Sequence, residues 1–164
     1  MHEDLTEATR KLKLEAMDSL TNFLCGYPWD AFVTQTFKHK VMFQRQALKR
    51  VSDRMTSVVW PVRRAFLATE EHYLGGYHVH GLLEFDHSRS ETGETMVLVL
   101  KERDRLATLG WGRVEEVKLI GGVAGYCAKY LTKVVSDYDF YGKWDLSESA
   151  LFYLWLDTPG DKIN

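Results

Sequence analysis

The chain has 164 residues, 45% of them apolar and 27% charged, with a net charge of −2. That length fits one domain spanning 1–164, able to bury roughly 70% of its unfolded surface, and the composition is ordinary for a soluble globular protein. The charged start "MHEDLTEATRKLKLEAM" excludes a secretory signal, no apolar run is long enough to span a bilayer, and Cys25 and Cys127 form no motif, reading as reduced thiols of a cytoplasmic protein.

Residues 3–24 carry apolar side chains at helical spacing up to a breaker at Gly26–Pro28. "DAFVTQTF", Asp30 to Phe37, is rich in β-branched and aromatic residues and predicts a strand with Phe32, Thr34 and Thr36 on one face. Residues 41–59 predict a helix that ends at Pro61. From Lys38 to Arg64 there are eight Lys or Arg residues against one acid, Asp53. Such an excess makes a phosphate-binding face or a solvated helix surface. Lys38, Lys40, Arg45, Lys49 and Arg50 are its candidate contacts to nucleic-acid phosphates.

Arg63 to Phe85 predicts a β-hairpin turning at Gly75–Gly76. "DHSRSETGE" is a loop, "TMVLVLKERDRLATLG" a helix, and Trp111 to Ile120 a strand. Gly121, Gly122 and Gly125 open a further helix running to about Val135, and "SESALFYLWL" in the tail is another helical candidate. Strands of this kind with helices packed against them predict an α+β fold around an antiparallel sheet.

Two segments carry chemistry. In "YHVHGLLEF", Tyr77 to Phe85, His78 and His80 are two residues apart and project from one face of a strand. A two-residue turn at Gly75–Gly76 pairs Tyr73 with His78 and Glu71 with His80. A bulge or a three-residue loop presents Glu70 instead. In either register two imidazoles and a carboxylate converge as a divalent-metal constellation with open positions. An H-x-H pair alone is more often surface or hydrogen-bonded histidine, so the glutamates matter to the reading.

The second segment is "YCAKYLTK", Tyr126 to Lys133. It places Tyr126 and Tyr130 four residues apart on a helix, with Lys129 and Lys133 at the same interval. A phenol is a weak nucleophile at neutral pH because its pKa is about 10, and a nearby metal or lysine favours the phenolate. Taken alone, the helix reads as amphipathic, its tyrosines capping a core.

Taken together, these segments resemble the HUH endonuclease superfamily, specifically rolling-circle replication initiators of bacteriophages and plasmids. "FVTQTF" resembles the family's first motif, "EEHYLGGYHVHGLLEF" the second, and "YCAKYLTK" the two-tyrosine form of the third, over about residues 31–135. The resemblance implies a central antiparallel sheet of the RNA-recognition and ferredoxin-like kind, flanked by helices. It implies that His78, His80 and one glutamate hold Mg²⁺ or Mn²⁺ against a phosphate of single-stranded DNA. It further implies that Tyr126 or Tyr130 attacks to leave a 5′-phosphotyrosine, with Lys129 balancing charge and Lys133 contacting DNA. The family's spacing favours Glu70 as third ligand, whereas the simplest hairpin register favours Glu71.

The expected partners are a single-stranded replication origin, a host polymerase and a separate helicase, since no G-x-x-x-x-G-K-[ST] is present. The expected setting is the cytoplasm of a bacterial or archaeal host. An HUH transposase keeps the chemistry and changes the biology. A non-catalytic module of the RNA-recognition type predicts aromatic residues stacking bases on an exposed sheet face, but leaves both chemical segments unexplained.

Overall fold

The computed structural model describes residues 11, 14–15, 18–56, 62–89, 94–117 and 138–142. Its centre is a five-stranded antiparallel sheet. The strands are β1 (Ala31–Phe37), β2 (Val62–Glu71), β3 (Tyr77–Phe85), β4 (Gly110–Glu116) and β5 (Tyr138–Gly142), in the spatial order β4-β1-β3-β2-β5. Helical residues 18–25 (α1) precede β1, α2 (Gln44–Thr56) joins β1 to β2, and α3 (Thr95–Leu106) joins β3 to β4. This is the α+β architecture that the sequence predicts.

Alternation along the strands divides the apolar residues between two faces. Ala31, Val33, Leu67, Val79, Leu83 and Val114 face one side, where Ala47, Leu48, Val51 and Met55 of α2 and Leu98, Val99 and Leu106 of α3 cover them. Phe32, Phe66 and Leu82 face the other, packed with Leu24 of α1, Trp29 and Phe140. Two-sided burial explains why β3 reads as a nearly continuous apolar run after its histidines. Among the described residues no helix is long and apolar enough to cross a membrane.

Three sequence expectations change. The helix predicted from residue 41 starts at Gln44, because the Val41 carbonyl accepts a hydrogen bond from the Tyr77 amide (2.8 Å) and is thereby committed to β3. The 86–94 loop contains a short 3-10 turn at His87–Arg89. A strand in the tail, β5, pairs with β2 from Arg64↔Gly142 to Ala68↔Tyr138 and was not expected from sequence.

Of the two hairpin registers open from sequence, the chain takes the three-residue loop that presents Glu70. His72 accepts from the Gly75 amide (2.7 Å) and donates its own amide to the Gly76 carbonyl (2.8 Å), which closes a three-residue loop, Tyr73 to Gly75. Gly75 sits at φ 79, the left-handed residue that completes this loop type. Glu70 therefore pairs with His78 and Ala68 with His80, while Glu71 pairs with Tyr77. The pairs of the two-residue alternative, Tyr73–His78 and Glu71–His80, do not form.

One buried ion pair ties the helices together. Arg105 Nη2 lies 3.0 Å from Glu102 Oε1, both side chains nearly or fully buried. Arg105 also donates to the Met55 carbonyl (3.5 Å), and Arg54 donates to the Arg105 carbonyl (3.4 Å). Burial pushes the Glu102 carboxyl above its usual range, against the pull of Arg105 and Arg54.

The predicted helix carrying Tyr126, Cys127, Lys129, Tyr130 and Lys133, the last three residues of the predicted 111–120 strand and the "SESALFYLWL" helix lie outside the described residues.

Candidate metal centre

Because side chains two apart share a strand face, β3 presents His78, His80 and Leu82 together, and β2 presents Phe66, Ala68 and Glu70 beside them. Ala68 directly opposes His80, and its small side chain leaves room for the imidazole. Glu70 sits two residues further along and reaches both rings. Its Oε2 lies 2.9 Å from His78 Nε2 and 2.8 Å from His80 Nε2. The three donor atoms lie within 4.8 Å of one another.

These separations suit an ion. Two ligand atoms bound at about 2.1 Å and at right angles stand about 3 Å apart, the edge length of an octahedral shell. Two imidazoles and a carboxylate on one side of an ion leave positions open for water or substrate. The group is graded in depth: the His80 side chain is 8% exposed, that of His78 14% and that of Glu70 25%, so an ion would be reached from the Glu70 side.

The buried end is fixed by neighbours. His80 stacks on Phe32, ring centroids 5.9 Å apart and 20° from parallel. Its Nδ1 lies 3.1 Å from Thr34 Oγ1, across the β1–β3 pair Thr34↔His80. With Nδ1 protonated and donating to the Thr34 hydroxyl, Nε2 keeps its lone pair directed at the site. Thr34 is a functional candidate that the sequence reading passed over. It lies within "FVTQTF" and shares a face with Phe32, yet only the β1–β3 register brings it to His80. Thr34→Val should keep the fold and weaken Mn²⁺ binding about 10–100-fold in a titration; unchanged affinity would remove Thr34 from the site.

Glu71 is exposed and, by alternation, faces away from the histidines. His72 is half-buried beside the triad: its ring centroid is 5.7 Å from that of His78, and its Nδ1 accepts the Leu74 amide at 3.2 Å.

The basic residues divide. α2 packs on the face opposite the triad, and there Lys49 pairs with Asp53 at 2.8 Å while the Arg50 guanidinium lies 5.9 Å from the Phe37 ring centroid. Arg45 is exposed on the same helix. Lys38 and Lys40 follow β1 at the end of the sheet nearer the triad, and Lys40 Nζ donates to the Leu74 carbonyl at 2.5 Å. Five of the predicted DNA contacts thus fall on two separate regions rather than one face.

Fold and site together define an α+β protein with a Glu-His-His group able to hold a metal ion. Neither a family model, nor a curated protein, nor a solved structure matches the chain.

Proposed function

We propose that this protein is a metal-dependent single-stranded DNA endonuclease and strand transferase of the HUH kind, nicking a replication origin to start and finish rolling-circle replication. The observation that carries the reading is the convergence of Glu70, His78 and His80 on one sheet face. A divalent cation held there would polarise a phosphate and stabilise the charge that develops on it. The phenolate of Tyr126 or Tyr130 attacks phosphorus, the bond to the 3′ oxygen breaks, and a 5′-phosphotyrosine and a free 3′-OH result. The phosphotyrosine retains the energy of the broken bond, so the second tyrosine and the freed 3′-OH carry out cleavage and resealing without ATP. A separate helicase and a host polymerase supply unwinding and extension.

Topology supports bringing the tyrosines to this face. β1 and β2 are parallel, as are β3 and β4, and both connections, through α2 and α3, cross the face opposite the triad. β4 and β5 are also parallel, at opposite edges. Parallel crossovers nearly always share one hand. Relative to strand direction, the step from β4 to β5 runs the opposite way across the sheet from the other two. The same hand would therefore carry it over the triad's face, and Tyr126 and Tyr130 belong to that connection.

The test is covalent capture. The protein is incubated with Mn²⁺ and a randomised pool of labelled single-stranded oligonucleotides, resolved on a denaturing gel, and the linked peptide is mapped. A metal-dependent adduct on Tyr126 or Tyr130, lost in the Tyr126→Phe/Tyr130→Phe double variant, is the expected result. No adduct, with tight metal-independent binding instead, would overturn the nuclease in favour of a binding module.

A further inference from the structure

Trp111 is 65% exposed on β4, and its ring makes no ring contact among the described residues. An isolated exposed apolar side chain is ordinary. Its setting is what gives this one meaning. Arg113 pairs with Thr34, the β1 partner of His80, and Trp111 pairs with Thr36, two residues further along β1. By alternation Trp111 and Arg113 thus stand on the triad's face, towards the end of the sheet that carries His78 and Glu70. Two strand spacings, about 10 Å, separate β4 from β3.

The backbone beneath the indole is held hard against β1. A Cβ on Gly112 would lie 2.7 Å from Gln35 Oε1, and one on Gly110 would collide with the Thr36 carbonyl. Gln35, fully buried on the far side of the sheet, donates to the Trp111 carbonyl at 3.4 Å. "GWG" therefore has both glycines fixed by close packing, while the tryptophan between them is largely exposed. Cations flank it. Arg113 lies two residues on along the same face, exposed and paired with Glu115 at 2.7 Å. Lys38, exposed, follows β1 beside it, its amide donating to the Leu109 carbonyl (2.9 Å).

We infer that Trp111 is a stacking platform for a base of single-stranded DNA neighbouring the phosphate held at the triad, with Arg113 beside that strand's backbone. This rests on the nuclease reading above and adds a specific substrate contact to it. A rigid indole offers a large contact area with two side-chain torsions to order, and base–aromatic stacking tolerates any sequence. The flanking arginine complements the phosphates that must pass between the platform and the triad.

The experiment measures binding of a fluorescein-labelled oligothymidine by anisotropy in EDTA, where metal-dependent cleavage is silent. Trp111→Ala and Trp111→Leu should each weaken binding about 5- to 150-fold, and Trp111→Phe should recover most of it. Because the side chain is exposed, all three should melt like the wild type. Wild-type affinity in the alanine variant, or in the leucine variant that keeps bulk without a π face, would overturn the platform alone. Absence of any single-stranded DNA binding by the wild-type protein would overturn the nuclease reading and the platform with it.

Discussion

Glu70→Gln is expected to abolish Mn²⁺ binding and any metal-dependent DNA adduct while the protein stays folded. The substitution preserves shape and hydrogen-bonding reach but removes the anionic oxygen that sits 2.8–2.9 Å from both imidazoles. Losing an outer partner of a ligand costs about 10–100-fold in metal affinity, and loss of the only carboxylate in the group should exceed that. Glu71→Gln is the matched control, since Glu71 is exposed and pairs with Tyr77. Isothermal titration with Mn²⁺ separates the two. Equal affinities in both variants would show that the Glu-His-His group is a hydrogen-bonded cluster and no metal centre.

The second large effect concerns stability. Arg105→Leu should cost about 3–5 kcal/mol at pH 7, because it strands the fully buried Glu102 without its nearest cation. That is a large part of the about 5–15 kcal/mol that holds a typical domain together. Burial already raises the Glu102 carboxyl above its usual 4.5, and Arg105 is the main group opposing the rise. Without Arg105 the folded carboxyl takes up a proton more readily than the unfolded one. The lost stability should therefore return as pH falls from neutral through the folded pKa towards 4.5. Urea unfolding at several pH values measures this. A loss that does not change with pH would mean that the arginine acts through packing alone. Adding Glu102→Leu should recover most of the loss, since an apolar pair can replace a buried ion pair.

The parts of this molecule legible in sequence are those set by local period. His78 and His80 share a face because strands repeat every two residues, and Leu98, Val99, Glu102 and Leu106 are buried together because a helix repeats every 3.6. What depends on register was not legible. Glu70 and Glu71 are adjacent, and only the Gly75 conformation and the three-residue loop select between them. Thr34 meets His80 through a pairing 46 residues apart in the chain. β5 is five residues long, "YDFYG", and gains its strand character from β2, whose backbone it completes. The tyrosine segment was legible as a spaced motif, and it lies outside the described residues.

The Glu-His-His group draws its members from two neighbouring strands. β3 is hydrogen-bonded on both sides, by β1 and β2, so the two imidazoles are anchored in the interior. Glu70 is carried to them by the β2–β3 ladder, through a hairpin loop only a few residues long. A slip of one register step would therefore turn the carboxylate to the far face and dismantle the group while leaving both strands intact.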